Sequence, residues 1–151
     1  MAVTDVLGLG ARLPTGYRAR DFEDRDREAF VAERNREHHW MQQGSANEWR
    51  YWENLMKDPT RVRVSVDGAD GTLAATGDIG QGSTARPDHA QFIDLTVLAP
   101  HRRKGIGTAL LEVFEEEARR RGCSSPLRDG SHFEWRRPLH EGQDTQDRRG
   151  P

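Results

Sequence analysis

Short stretches of the chain alternate between hydrophobic and polar residues, the pattern of strands that are buried on one face. Residues 61–66 alternate strictly, residues 67–71 contain two glycines, and residues 72–79 continue in an extended pattern, which predicts a β-hairpin. The short run 17–20 predicts a first strand, and residues 90–98 predict a further one. One face of this last strand is purely apolar: Ile93, Leu95 and Val97.

Two stretches before the hairpin predict helices. Acidic residues between 21 and 26 favour a helix N-terminus through the helix dipole, and this helix would run to about Arg36. Residues 45–48 read Ser-Ala-Asn-Glu and fit a capping box, in which the two side chains bond each other's backbone amides. The apolar residues behind the box are spaced to form one stripe, which we expect to face the core: Trp49, Trp52, Leu55 and Met56.

The composition limits the class of protein. The chain has 151 residues, of which 34% are apolar and 32% charged, and this size predicts one domain. A formal net charge of −2 gives no general attraction to nucleic acid, so no nucleic-acid partner is expected. The single cysteine, Cys123, excludes an intramolecular disulfide and fits a reducing compartment. No window has the pattern of a signal peptide or a membrane span, so we expect a cytoplasmic protein without a membrane partner.

A basic, glycine-containing turn joins the 90–98 strand to a third predicted helix. Residues 101–108 read His-Arg-Arg-Lys-Gly-Ile-Gly-Thr. Its glycines let backbone amides approach a ligand, the helix N-terminus adds unsatisfied amides, and three cations add positive charge. We therefore predict a pyrophosphate site, with a solvated surface loop as the alternative. The spacing is that of neither a P-loop nor a Rossmann fingerprint. The helix behind the turn is expected to end at Gly122.

Residues 97–111 resemble motif A of the GNAT-type N-acetyltransferases. The core of that motif, Gln/Arg-x-x-Gly-x-Gly/Ala, is met by Arg102, Gly105 and Gly107, and the resemblance extends into the preceding strand and the following helix. The order of the predicted elements also agrees over about residues 16–122. The resemblance implies an α/β (α+β) fold, with a mixed, mostly antiparallel central sheet flanked by helices.

The resemblance divides the chain into three segments. Residues 1–15 are expected to form an extended leader, residues 16–122 the acetyl-CoA-binding domain, and residues 123–151 an irregular tail with incomplete C-terminal strands. Either the tail comes from a truncation or frameshift of a longer acetyltransferase, or a partner subunit or an unusual packing supplies the missing strands. An exposed strand edge would remain in both cases, which predicts a homodimer through that edge or the tail.

The function that the resemblance implies is acetyl-CoA-dependent N-acetyl transfer to a primary amine of a small molecule or a protein, by direct attack. Acetyl-CoA would be the co-substrate, with its pyrophosphate on the turn and its pantetheine arm paired with the strand like an extra strand. Adjacent His38 and His39 lack a third ligand at a zinc-type spacing, so no metal is expected. The residues implied to bind acetyl-CoA are Val97, Leu98, Arg102, Arg103, Lys104, Gly105, Ile106, Gly107 and Thr108.

One carboxylate and two histidines are candidate catalytic residues. Asp94 is the candidate general base, because the family often draws a carboxylate from this strand; a strand residue hydrogen-bonded to backbone is the alternative reading. His89 and His101 are weaker candidates. No tyrosine follows the motif to serve as the acid for the departing thiolate, as in many family members. Acceptor contacts are expected from the region of the first two helices: His38, His39, Trp40, Trp49 and Trp52.

Two other functions stay open. A catalytically impaired GNAT-like domain would bind acyl-CoA or a partner protein without turnover, in keeping with the missing tyrosine and the atypical tail. A nucleotide-phosphate binder without acyl chemistry is the other. The sequence does not identify the acceptor.

Overall fold

The computed structural model describes residues 7–37, 44–55, 57–81 and 91–123. Within these ranges, four strands form one antiparallel sheet in which each strand pairs with the next along the chain. The last strand is outermost in the described sheet. In chain order the strands are β1 (Arg18–Asp21), β2 (Val62–Asp67), β3 (Leu73–Gly80) and β4 (Phe92–Val97).

Three helices accompany the sheet: α1 (Asp26–Glu37), α2 (Ala46–Leu55) and α3 (Ile106–Arg120). Two short 3-10 turns, Leu9–Ala11 and Ala99–His101, lie before β1 and directly after β4. The predicted α+β fold with an antiparallel central sheet is therefore confirmed.

Two predicted helix ends are also confirmed. The N–H of Ser45 donates to Oε2 of Glu48 at 2.9 Å, and the N–H of Glu48 donates to Oγ of Ser45 at 3.2 Å, which completes the capping box of α2. Gly122 follows α3 in the left-handed conformation, with φ 85°. The N–H of Cys123 then donates to the carbonyl of Ala118 at 2.9 Å and closes the last turn.

Helix α3 packs on the apolar face of the sheet. Its buried stripe consists of Ile106, Leu110, Val113, Phe114 and Ala118. Gly77 of β3 lies directly beneath this stripe, because a Cβ built there would sit 2.5 Å from Cε2 of Phe114 and 3.2 Å from Cδ2 of Leu95. The glycine thus allows the helix to approach the sheet closely.

Gly77→Ala is expected to lower the free energy of unfolding by about 1–3 kcal/mol, because the added methyl group overpacks this contact. Urea denaturation measures the loss. Gly10→Ala is the matched control, since a Cβ at Gly10 meets nothing within 4 Å. Equal stability of the Gly77 and Gly10 variants would show that the α3 interface can relax around the methyl group.

The opposite face of the sheet is charged and is covered by α1 and α2. Arg63 of β2 donates to Oε1 of Glu53 of α2 at 2.7 Å, and its guanidinium lies 3.6 Å from the ring centroid of Phe22. The polar positions of this half-buried strand are thus paired with helix side chains. We call this set of side chains the ionic layer: Arg20, Asp26, Arg27, Arg34, Glu53, Arg61, Arg63, Asp67, Asp78 and Asp94.

Asp26 begins α1 and ties it to the sheet. Its carboxylate accepts hydrogen bonds from Arg20, from the backbone N–H of Glu23 and from the hydroxyl of Ser65. Burial by itself would raise the pKa of Asp26, but these three donors outweigh it, and the pKa lies below the ordinary value of 3.8. Such a carboxylate stabilises the fold above its unfolded-state pKa, and the stabilisation is lost as the pH falls through the folded-state pKa.

Asp26→Asn is therefore expected to flatten the acid side of the stability profile. The wild-type free energy of unfolding falls from about pH 5 downward, whereas the variant, which cannot titrate at this position, starts lower and falls less steeply. Urea denaturation at a series of pH values measures both slopes. Asp21→Asn, at an exposed position of β1, provides the control. Equal acid slopes for wild type and Asp26→Asn would contradict the pKa assignment.

Helix α2 presents a different face to the protein from the one that the sequence predicts. Trp52 and Leu55 of the predicted stripe are 54% and 61% exposed. Trp49 is partly buried, and Glu53, one turn later on the same face, bonds to Arg63. The prediction that the stripe faces the core is wrong because α2 lies over the ionic layer, where a glutamate finds a partner that a leucine does not.

Residues 7–15, the described part of the predicted leader, differ from the extended segment that the sequence predicts. Leu7 and Leu9 are buried in the core, and residues 9–11 form a 3-10 turn. Arg12 then donates to Glu116 of α3 at 2.8 Å. A three-residue turn is too short to leave a periodic pattern, so this packing could not be predicted from the sequence.

Candidate functional site

The C-terminal end of β4 has backbone groups that face away from the sheet. The N–H of Leu98 donates to the carbonyl of Ala74 at 2.9 Å, so the even-numbered residues of β4 bond to β3. Alternate residues of an antiparallel strand point their N–H and C=O groups in opposite directions, and Val97 therefore directs its groups away from β3. The pantetheine arm was predicted at Val97 and Leu98. Of these two, only Val97 has backbone groups on the outer side.

The turn after β4 combines left-handed backbone with exposed positive charge. Arg103 has φ 63° and Gly105 has φ 89°. Arg103 and Lys104 are exposed. Helix α3 starts at Ile106 with no side-chain cap and no acidic residue in its first turn. Its first amides have no partner within the helix, and the helix dipole favours an anion there. This arrangement fits the predicted pyrophosphate site.

The side chain of Arg102 points out of the turn. Its Nε donates to the carbonyl of Val97 at 2.9 Å, and its Nη2 donates to Oε1 of Glu33 at 2.6 Å and also to Glu37. Arg102 thus joins the outer edge of β4 to the end of α1. We predicted Arg102 among the residues that bind the pyrophosphate, and the direction of its side chain does not support that role.

His101, the first residue of the turn, packs against the segment before β1 and the turn between β2 and β3. The hydroxyl of Tyr17 lies 3.0 Å from Nδ1 of His101, and the two rings meet edge to face with centroids 5.6 Å apart. A Cβ on Gly68, in the β2–β3 turn, would sit 3.2 Å from Cε1 of the imidazole. These contacts hold the imidazole of His101 against Tyr17 and the β2–β3 turn.

Asp94, the predicted general base, is held by a buried arginine. Nη2 of Arg34 donates to both carboxylate oxygens, at 2.6 and 2.5 Å. The side chain of Arg34 is 1% exposed, and its guanidinium carbon lies 5.1 Å from the ring centroid of Phe30 and 5.6 Å from that of Trp49. Asp94 is thus held by hydrogen bonds, with a guanidinium rather than backbone as its partner, and its role as general base stays a prediction.

A second carboxylate, Asp78 of β3, lies directly opposite Asp94 in the sheet. Nη2 of Arg61 donates to it at 2.7 Å. Burial raises the pKa of Asp78, Arg61 and Arg63 oppose the shift, and the charge of Asp94 adds to it, so the pKa lies above the ordinary value. Sequence reasoning missed Asp78, Arg34 and the glutamates of α1. The signal available in the sequence was Asp78 itself, a charged residue inside β3, a strand of small and apolar residues.

Several residues that the sequence singled out lie outside the described ranges: His38, His39, Trp40, Met56 and His89. In the ranges that the structure does describe, no three or more His, Cys, Asp or Glu side chains are grouped to hold a metal ion. A search of the same ranges for a helix of the length and hydropathy needed to cross a membrane finds none.

The similarity to acetyltransferases extends well beyond residues 97–111. The sequence model described as "Acetyltransferase (GNAT) family" matches residues 19–129, which is more than half of the chain. The chain belongs to the GNAT family of acetyltransferases. A search of curated proteins finds no match to it.

Solved structures agree with this GNAT assignment. A GCN5-related N-acetyltransferase from Sphaerobacter thermophilus is 26% identical with a TM-score of 0.55, over 72% of this chain and 34% of that one. One from Kribbella flavida is 22% identical with a TM-score of 0.55, over 72% and 68%. Spermidine N-acetyltransferase from Vibrio cholerae, in complex with CoA and spermine, is 15% identical with a TM-score of 0.54, over 70% and 64%.

The two structures that are less than 25% identical show a common fold alone. The chain spans between about a third and two thirds of the length of these three proteins. The shared architecture includes the antiparallel sheet and the helix that follows β4 in this GNAT-family protein.

Proposed function

We propose that this GNAT-family protein is an acetyl-CoA-dependent N-acetyltransferase that acts on a primary amine of a small molecule or a protein. The observation that carries the proposal is the outward-facing backbone of Val97 next to the uncapped N-terminus of α3. A strand edge pairs with an extended, amide-containing arm, and a helix N-terminus binds a phosphate. The two lie within ten residues of each other, in the order that acetyl-CoA requires.

Parts of the site have distinct tasks in this proposal. Backbone amides of residues 103–108 bind the pyrophosphate, and the exposed side chains of Arg103 and Lys104 attract it. Val97 pairs with the pantetheine arm. Family membership supports acetyl-CoA as co-substrate, and a structurally similar protein from Salmonella typhimurium, described as a putative acetyltransferase, was solved with its cofactor acetyl-CoA.

The proposed reaction is a direct acetyl transfer. The amine nitrogen attacks the thioester carbonyl, the carbon–sulfur bond breaks, and coenzyme A leaves as a thiolate that takes up a proton. In this proposal Asp94 stays the candidate acceptor of the amine proton, although in the free protein it is bound to Arg34, as Asp78 is to Arg61. The main contribution of the protein is then to hold the thioester and the amine together in the reactive orientation.

A second candidate function is favoured by the same ion pair. If the Arg34–Asp94 contact persists when ligands bind, the domain would bind acyl-CoA, or a partner protein, without turnover. This alternative shares the coenzyme site with the first proposal and differs only in the chemical step.

The acceptor class and the assembly state are also proposals. The similarity in fold to a spermidine N-acetyltransferase motivates polyamines as the first acceptors to test. The homodimer through an exposed strand edge and the cytoplasmic location stay predictions from the sequence.

The test combines ligand-induced stabilisation with turnover. Acetyl-CoA and ATP are each added to the purified chain, and the midpoint of thermal unfolding is measured; thiol release is then followed with spermidine, other small amines and a lysine-containing peptide. The proposal expects stabilisation by acetyl-CoA and thiol release with at least one amine. Stabilisation without release supports the binding domain. Stabilisation by ATP and not by acetyl-CoA would overturn both and favour a nucleotide-phosphate binder.

A further inference from the structure

The contacts of Arg102 point to a role beyond the proposed coenzyme site, on which this inference rests. We propose that Arg102 is a latch: its guanidinium occupies the outer edge of β4 in the free protein and leaves that edge when the pantetheine arm binds.

Arg102 and the pantetheine arm compete for one carbonyl. The backbone of Val97 faces away from β3, so its carbonyl is available to an arm that pairs with β4 as an added strand. In the free protein this carbonyl already accepts a hydrogen bond from Nε of Arg102 at 2.9 Å. An amide N–H of the pantetheine arm needs the same acceptor. A carbonyl oxygen can accept two hydrogen bonds, but an added strand would lie only about 4.8 Å from β4, in the space that the guanidinium now occupies. Binding of the arm therefore displaces the guanidinium.

Two glutamates of α1 hold the guanidinium of Arg102. Nη2 of Arg102 donates to Glu33 at 2.6 Å and to Glu37, whose side chains are 9% and 21% exposed. A guanidinium carries five N–H donors, so Arg102 can give up the Val97 carbonyl and keep its ion pairs with the two glutamates. Opening the latch thus costs one hydrogen bond rather than a whole charged network.

Arg102 differs from the other cations of the turn in the direction of its side chain. The backbone of Arg102 is extended, with φ −73° and ψ 157°, and that of Arg103 is left-handed, with φ 63°. The change of conformation between them sends the side chain of Arg102 to the strand edge. All three cations are exposed, but among the described residues it is Arg102 whose side chain is bonded to Val97, Glu33 and Glu37. Arg102 therefore controls access for the arm, and its two neighbours attract the phosphates.

The experiment measures the two ends of the coenzyme separately. Isothermal titration calorimetry is performed with coenzyme A, with pantetheine, which has the arm but no phosphate, and with adenosine 3′,5′-bisphosphate, which has phosphates but no arm. The variants are Arg102→Met, which removes the latch, and Arg103→Met, which removes a turn cation that does not contact Val97.

The latch predicts that the two variants change the affinities for pantetheine and the bisphosphate in different ways. Arg102→Met is expected to bind pantetheine about threefold to tenfold more tightly, the range for one hydrogen bond that no longer has to be displaced, and to bind the bisphosphate within about twofold of wild type. Arg103→Met is expected to weaken binding of the bisphosphate and to leave the affinity for pantetheine unchanged. If Arg102→Met fails to fold, the Glu33→Gln/Glu37→Gln double variant loosens the same latch and is expected to change pantetheine binding in the same direction.

Three results would overturn the latch. Weaker binding of both coenzyme A and the bisphosphate by a folded Arg102→Met protein would make Arg102 a pyrophosphate ligand. Unchanged pantetheine affinity with a lower unfolding midpoint would make it a static link between β4 and α1. A wild-type protein that binds neither coenzyme A nor the bisphosphate would overturn the coenzyme site itself. This failure is distinct from the first two results, because in both of those the wild-type protein binds coenzyme A.

Discussion

Asp94→Ala is expected to lower the free energy of unfolding by about 3–5 kcal/mol, because it leaves the buried guanidinium of Arg34 without its counter-ion. The Nε of Arg34 already lacks a hydrogen-bond partner among the described residues, so Asp94 supplies the main compensation for burying this charge. Urea denaturation at neutral pH measures the loss. Arg34→Met should cost less, since the side chain of Asp94 is 17% exposed and regains water.

An exposed ion pair provides the control for this prediction. Arg12 and Glu116 lie 2.8 Å apart with side chains that are 37% and 45% exposed, and Glu116→Ala is expected to cost less than about 1 kcal/mol. The Arg34→Met/Asp94→Ala double variant should lose less than the sum of the two single losses, since the charges depend on each other. A folded Asp94→Asn protein that keeps wild-type stability but releases no thiol would support Asp94 as the general base.

Gly107→Val is expected to reduce coenzyme affinity by about a hundredfold or more while the protein stays folded. The substitution places two γ-carbons at the start of α3, where the backbone must approach the pyrophosphate, and it would disrupt two or more charge-assisted hydrogen bonds of about 1.5–3 kcal/mol each. A Cβ at this position meets Cγ2 of Val97 at 3.6 Å, an ordinary contact, so the fold has room for the first atom of a side chain. Calorimetric titration with coenzyme A measures the affinity.

Gly107→Ala is the matched control. Its single methyl group blocks less of the approach, and replacing a helical glycine by alanine should raise stability by about 0.5–1 kcal/mol. The affinity should therefore decrease in the order Gly, Ala, Val, whereas the stability should not follow that order. Wild-type affinity in a folded Gly107→Val protein would contradict the proposed pyrophosphate site.

Local patterns allowed much of the fold to be predicted from the sequence. The capping box at Ser45, the buried stripe of α3 and the end of that helix at Gly122 each depend on residues within one or two turns of each other. The hairpin of β2 and β3 likewise follows from alternation on both sides of a glycine-containing turn. Such features need no knowledge of distant contacts.

The sequence alone does not reveal which residues pair with the site residues. Arg102 contacts Glu33 across 69 residues, and Arg34 contacts Asp94 across 60. A motif indicates the backbone of a turn, but it does not reveal which helix end receives an arginine side chain. The exposed face of α2 has the same cause, because the pattern shows that Trp52 and Leu55 share a face and cannot show that the sheet beneath is charged.

The ionic layer and the apolar contact hold the two faces of the sheet by different forces, and both forces weaken in the cold. The apolar contact with α3 weakens on cooling, since the hydrophobic effect is largely entropic near room temperature. The ion pairs between the sheet and the first two helices also weaken on cooling, because the cost of removing their charges from water rises as the temperature falls. At high temperature the apolar contribution levels off while the cost of burying the charges keeps falling. Strong warming therefore increases the share of the cohesion that α1 and α2 supply, relative to that of α3.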